Sequence, residues 1–248
     1  MRAVSWDDAP VEVDGADAVV NLAGVSIGGP RWTARRKESI RASRVGSNRA
    51  LAEAISAAKR RPRVFATASG IDFYGDRGDE SIDETSPAGR SFLAGVCLAW
   101  EAAAESPARH VAVRTALVIG PGAQAVRLMA LPFKLFVGGP LGNGRQWFSW
   151  IHLDDLVRVY RLAIEDDSLA GPVNAVAPEQ LRQREAARTF GRVLHRPALL
   201  PTPAFVLRAA LGEQADLLLH GRRAASNVLE GFDFGYSTLE SALREAFG

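Results

Sequence analysis

Apolar residues fall into two rhythms along the first half of the chain. "ADAVVNLA" (16–23) is an unbroken apolar run of strand length, which predicts a strand buried on both faces. "RVFATAS" (63–69) and "HVAVRTALVIG" (110–120) predict the next two strands, the last ended by "GPG". Between them the spacing changes. Thr33 to about Ala58 reads as a helix with Thr33 as its N-cap and with Leu51, Ala54, Ile55 and Ala58 on one face. "FLAGVCLAWEAAAE" (92–105) is a second helix of good helix formers. Strand, helix, strand, helix, strand at these intervals predicts a parallel sheet with helical crossovers.

Beyond Gly122 the pattern loosens. Residues 125–136 predict a helix kinked or broken at Pro132. "VGGPLGNGRQ" is a loop, and "WFSWIHLDDLVRVYRLAIED" passes from an extended segment into a helix with Leu156, Val159, Tyr160 and Ala163 on one face. "GPVNAVAPE" reads as a short strand and turn, and 179–194 as a further helix. The tail has a proline-flanked start, two helical stretches and "GFDFGYSTL". These changes divide the chain into 1–122, 123–198 and 199–248.

Composition adds limits rather than a function. A chain of 248 residues, 47% hydrophobic and 23% charged, suits one large domain or a domain with a subdomain. No apolar run approaches the ~18–20 residues of a membrane helix, and the N-terminus has no apolar signal core, which predicts a soluble cytoplasmic protein without a membrane partner. The single cysteine, Cys97, excludes an internal disulfide and a cysteine-based zinc site. It reads as a buried structural thiol.

Net charge is only +2, yet the charge is uneven. Residues 31–63 carry eleven Lys or Arg against Glu38 and Glu53, whereas 72–105 carry eight acids against Arg77 and Arg90. A solvated basic helix beside an acidic loop accounts for this; a phosphate site is the functional alternative. Nucleic acid is disfavoured, because only Trp32 interleaves the basic run. His152 stands beside Asp154 and Asp155, but adjacent Asp side chains point apart on a helix, so capping and hinge packing are expected there and no metal. Of Trp147, Phe148 and Trp150, one is expected to face a ligand crevice past the sheet's C-terminal edge, with Arg145 able to meet an anion.

In their order, "DAVVNLAG", "RWTARRKESIRASR", "YGDRGDE", "FLAGVCLAWEAAA", "GGPLGNGRQWFSWIHLDDLV" and "GPVNAVAPE" resemble the extended short-chain dehydrogenase/reductase superfamily. The likeness is stronger to its atypical "epimerase family protein" branch, which carries a small uncharacterised C-terminal domain. The resemblance implies an α/β fold: a truncated Rossmann-like parallel sheet with helices on both faces, then a small mixed substrate-side subdomain. It implies NADP, or NAD, as cofactor and a small-molecule substrate such as a sugar nucleotide. By the same resemblance Asn21, Leu22, Ala23 and Gly24 lie along the cofactor's ribose and adenine side, with Arg44 and Leu117 also on the cofactor. Read from the residues alone, the first four make a plain strand-to-helix turn and Arg44 a solvated helix residue.

Members of that branch begin with a strand, a glycine-rich turn, a helix and a second strand before the segment at "VSWDD". Neither G-x-G-x-x-G nor G-x-x-G-x-x-G occurs in this chain. That turn brings backbone N–H groups and a helix N-terminus to the pyrophosphate, so weak cofactor binding is expected. A sheet lacking two strands would expose an apolar edge and favour a homo-oligomer.

The family's Tyr-x-x-x-Lys pair is missing as well. Gly78, Ile164 and Glu240 stand four residues after Tyr74, Tyr160 and Tyr236. Alignment on Glu101 puts Leu93 at the Tyr position and Cys97 at the Lys position. In "ATASGIDFYG" the Ser/Thr position falls on Ser69 or Gly70; Ser69 is the candidate hydroxyl and Tyr74 the nearby phenol, both expected to face the crevice. Three readings follow: an NAD(P)-dependent nucleoside-diphosphate-sugar epimerase- or reductase-like enzyme, a binding or regulatory protein that lost the chemistry, or an N-terminally truncated gene product.

Overall fold

The computed structural model describes residues 2–248. A short helix α1 (Ala9–Val13) leads into β1 (Ala18–Asn21), followed by α2 (Ala34–Ala57), β2 (Val64–Gly70) and β3 (Ser81–Ile82). Next come α3 (Phe92–Ala102), β4 (Arg109–Thr115), β5 (Leu117–Ile119) and α4 (Gln124–Lys134). The chain continues through β6 (Trp147–Phe148), β7 (Trp150–His152), α5 (Leu153–Glu165), β8 (Gly171–Ala175), β9 (Leu181–Arg182) and α6 (Gln183–Val193). It ends with α7 (Ala204–Leu211), α8 (Asp216–Leu219), β10 (Arg223–Ala224) and α9 (Leu239–Phe247).

The central sheet has the order β1-β2-β4-β8 with every pairing parallel. Alternation along β2 explains its three layers. Val64 and Ala66 turn to one face, where they meet Val111, Val113 and Val173 and are covered by Val159 and Ala163 of α5. Phe65 turns to the other, against Leu51 and Ile55 of α2. A period of two on the strand and an apolar stripe on each helix produce this layering. Thr33 caps α2 as expected, its Oγ1 accepting from the Arg36 N–H at 3.2 Å.

Four expectations need correction. β1 is not buried on both faces: it pairs only with β2 among the described residues, and Val20 stays 39% exposed. The third strand is two strands, because after Thr115 the chain leaves the main sheet and Leu117–Ile119 pairs with Trp150–His152 instead. Pro132 does not break α4; the helix runs on to Lys134, and the Val137 N–H then closes on the Pro132 carbonyl at 2.9 Å. The helix expected from 179 starts at Gln183, since Leu181–Arg182 is held as a strand against Trp147–Phe148.

The C-terminal segment closes on this core. Leu239, Ala242 and Leu243 of α9 share a cluster with Ile119, Phe133, Trp150 and Phe190. On the opposite side Arg31 donates to the carbonyls of Ala209 and Ala210, and Gln214 Nε2 donates to the Ile27 carbonyl at 3.1 Å. The loop that leaves β1 is thereby tied to the tail of the chain.

Candidate functional site

The turn after β1 is fixed by polar contacts to α2. Asn21, buried, donates through Nδ2 to Ser47 Oγ (3.0 Å) and Asn48 Oδ1 (2.6 Å), and its Oδ1 accepts from the Ala23 N–H at 2.9 Å. Arg44 Nη1 donates to the carbonyls of Val25 (2.8 Å) and Ile40 (3.1 Å), and the guanidinium lies 5.0 Å from the Trp100 ring. A Cβ on Gly24 would come within 3.1 Å of Arg44 Cζ, so the chain passes directly over the guanidinium there. Burial lowers the Arg44 pKa from its ordinary value. Leu22 and Gly24 are exposed, and Ala23 half-buried. The structure therefore brings Asn21–Gly24 and Arg44 into one group. Leu117 stands two residues beyond β4, half-buried against the Ile119 and Phe133 cluster, on a different stretch of wall.

Ser69 and Tyr74 belong to a second polar group, at the C-terminal end of β2. Ser69 pairs in register with Arg114 of β4. Its hydroxyl donates to Glu101 Oε1 at 2.6 Å, and Arg114 holds the same carboxylate with two bonds, Nε to Oε1 at 2.9 Å and Nη2 to Oε2 at 2.8 Å. Arg114 Nη1 donates to the Tyr74 hydroxyl at 2.8 Å, and that hydroxyl donates to Asn174 Oδ1 at 2.6 Å. From Asn174 the chain of bonds reaches the tail: Asn174 N donates to Glu84 Oε1 at 2.9 Å, Nδ2 to the Ala225 carbonyl at 2.8 Å, and Glu84 also accepts from Ser226 and the Asn227 N–H. Asp72 beside this group forms an ion pair with Arg222 at 2.8 Å.

The expectation that both side chains face the crevice is corrected for Tyr74. It is 0% exposed and its phenol is committed in both directions. Burial raises its pKa, although Arg114 and Asn174 pull the other way. Ser69 is buried as well, at 7% exposed, with its hydroxyl turned to Glu101. Leu93 and Cys97, at the positions of the family's Tyr and Lys, are both buried, and burial pushes the Cys97 thiol up to about 12.

Arg114, Glu84, Asn174 and Arg222 escaped the sequence reading. One signal was available: Arg114 interrupts "HVAVRTALV", a strand otherwise apolar through its buried stretch, and a buried charge requires partners. His152 caps α5, its Nδ1 accepting from the Asp154 N–H at 3.2 Å, and stacks on Tyr236 with ring centroids 3.6 Å apart. Asp155 accepts from the N–H groups of Gly235 and Tyr236 at 2.8 and 3.0 Å. Trp150 and Phe148 turn into the junction core, whereas Trp147 remains half-buried, its ring under the Arg182 guanidinium at 3.8 Å and its Nε1 donating to Asp79 at 3.1 Å.

A four-stranded parallel sheet between helices, with a pinned polar turn after its edge strand, defines a Rossmann-like protein of the short-chain type. Residues 2–175 match the NAD dependent epimerase/dehydratase family, and 202–246 match a domain of unknown function, DUF1731. The chain belongs to the NAD dependent epimerase/dehydratase family. It is 39% identical over 239 residues to the Arabidopsis thaliana epimerase family protein SDR39U1 homolog, chloroplastic, covering 94% of this chain and 69% of that protein. The crystal structure of human SDR39U1 with NADPH superposes with a TM-score of 0.93 at 35% identity, covering 98% of this chain and 86% of that one. A nucleoside-diphosphate sugar epimerase from Corynebacterium glutamicum superposes with a TM-score of 0.78 at 32% identity, covering 98% and 49% respectively. No helix among the described residues is long and apolar enough to cross a membrane.

Proposed function

We propose that this chain is an atypical short-chain dehydrogenase/reductase-like enzyme of the cytoplasm that binds NADP(H), or NAD(H), and acts on a nucleoside-diphosphate sugar or a similar small molecule. One observation carries the cofactor assignment. Arg44 commits a single guanidinium nitrogen to backbone carbonyls, and its remaining nitrogens meet no protein acceptor among the described residues. A cation fixed beneath an exposed turn, with donors to spare, fits a phosphate or ribose oxygen. Asn21 holds the turn's shape, Leu22 to Gly24 give the surface against which the ribose would lie, and Leu117 is assigned the wall beyond β4. The human relative solved with NADPH supports the same choice of ligand, and the Corynebacterium relative supports the substrate class.

When bound, the nicotinamide supplies or accepts a hydride. Ser69 then holds or moves the accompanying proton at its hydroxyl, with Glu101 as the acceptor behind it. Tyr74, closed off behind Arg114, is assigned the indirect part of keeping Arg114 in place. The edge of β1 that pairs with no strand among the described residues favours a homo-oligomer.

A second reading has its own support. With buried Leu93 and Cys97 in place of the Tyr and Lys, this scaffold suits a protein that binds the cofactor without turning it over. The experiment is incubation with NADP(H) and a panel of nucleoside-diphosphate sugars, followed by chromatography of the products. The enzyme reading expects conversion of one panel member, reduced about 100-fold or more in Ser69→Ala. NADPH binding without conversion of any member would leave the binding protein as the correct account.

A further inference from the structure

The structure assigns a second surface, centred on the C-terminal segment, to contact with an anionic lipid bilayer. Its centre is α7, in which seven of the eight residues "AFVLRAAL" are apolar and none is buried. A helix apolar nearly all round is ordinarily covered. The outer face of α4 adds a second apolar stripe. At 100° per residue Leu131, Leu135 and Leu128 occupy one arc of that helix, and they are 49%, 62% and 61% exposed. Arg127 and Lys134 lie on the adjacent arc, so cations border the leucine stripe along its length.

The two helices are joined by backbone. The Leu200 N–H donates to the Gly138 carbonyl at 3.2 Å, the Thr202 N–H to the Pro140 carbonyl at 2.9 Å, and Leu141 bridges Thr202. Phe136 (58% exposed) and Leu199 (80%) adjoin these bonds in the chain, and Phe205 (74%) lies in the first turn of α7. The Arg196 guanidinium lies over Phe136 at 4.7 Å. Half of the eighteen large exposed hydrophobic residues fall within 128–137 and 199–206, which distinguishes a patch from scattered apolar residues.

Charge selects the occupant. No Asp or Glu occurs from 106 to 153 or from 186 to 212, while Arg127, Lys134, Arg188, Arg192, Arg196 and Arg208 fall in those stretches. Glu240 pairs Arg192 at 3.2 Å, Asp216 stands 4.0 Å from Arg208 and Glu213 pairs Lys37, which leaves Arg127, Lys134, Arg188 and Arg196 without an ion-pair partner among the described residues. Two copies related by a twofold axis would place this cationic patch against itself, because an isologous contact uses the same surface twice. Leucine and phenylalanine at the level of the acyl boundary, with Arg and Lys reaching anionic headgroups, satisfy both halves of the surface.

The test is co-sedimentation of the whole chain with phosphatidylcholine vesicles, with and without phosphatidylglycerol. Partition is expected only into the vesicles containing phosphatidylglycerol, and it should fall as salt rises. Arg127→Gln/Lys134→Gln should weaken it about 25-fold, about fivefold for each cation removed. Leu131→Glu/Leu135→Glu should abolish it while leaving circular dichroism and NADPH binding unchanged, since both leucines face solvent. If the wild-type chain stays in the supernatant, or pellets equally with both vesicles, the proposal is overturned. It is also overturned if the wild type fails to pellet and light scattering finds a dimer that Leu131→Glu/Leu135→Glu dissociates, because a second copy would then cover the patch.

Discussion

Replacing Tyr74 with phenylalanine deletes one oxygen from the middle of the buried chain linking β2 to the tail. The ring stays packed, so no cavity term arises. Asn174 Oδ1 loses its 2.6 Å donor, and Arg114 Nη1 loses its 2.8 Å acceptor and keeps only the Glu84 carbonyl at 3.5 Å. An orphaned buried carbonyl costs about 1–3 kcal/mol, and the bond to a charged guanidinium adds to this, so a loss of about 2–3 kcal/mol is expected. In a protein of this length each kcal/mol shifts Tm by about 2–4 °C, which predicts a fall of about 5–10 °C. Urea and thermal unfolding followed by circular dichroism measure it. Ser69→Ala is the comparison, because Glu101 keeps both of its Arg114 bonds; that substitution should cost only about 1 kcal/mol. A Tyr74→Phe protein within about 0.5 kcal/mol of wild type would refute the structural role given to the phenol.

Cys97 should resist thiol reagents at pH 8 in the folded protein and react on unfolding, as followed by absorbance of a chromogenic disulfide. Its folded thiol keeps the proton until about pH 12 while the unfolded thiol releases it near 9. The unfolded state then binds fewer protons, and stability should fall by up to about 1.4 kcal/mol per pH unit across that window, a slope that Cys97→Ala removes in denaturant titrations. Burial lowers the His110 pKa, so the unfolded state takes up a proton first as pH falls; stability should drop below the ordinary imidazole value, and less steeply in His110→Gln. Asp155→Ala should cost about 2–4 kcal/mol and speed hydrogen exchange at Gly235 and Tyr236, whose N–H groups it accepts; unchanged exchange there would contradict its role in tying down the tail.

The layered core was legible because its signals are local. Thr33 as a cap, the α2 stripe and the apolar runs of β2 and β4 each follow from a few neighbouring residues. Edge position was not legible in β1, since an apolar run looks the same whether one strand or two flank it. The splitting of "HVAVRTALVIG" depends on Trp150–His152, whose residues pair with partners 33 positions earlier, and the late start of α6 on Trp147–Phe148. At the candidate site, the nearness of Asn21–Gly24 to Arg44 depends on packing of the β1 turn against α2, which single residues do not signal; the resemblance alone linked them, and their place on the cofactor is the proposal made above. The direction of the Tyr74 side chain escaped because it is set by Arg114 and Asn174, forty and one hundred residues further on.

NADPH titration of the wild-type chain and of Arg44→Met, followed by cofactor fluorescence, tests the central claim that the β1–α2 turn and Arg44 hold the dinucleotide. A saturable change in NADPH fluorescence is expected for the wild-type chain, as the human relative solved with NADPH suggests. Arg44→Met should weaken binding by a factor of about ten or more. A titration curve unchanged by Arg44→Met would show that the cofactor is held by a different set of residues.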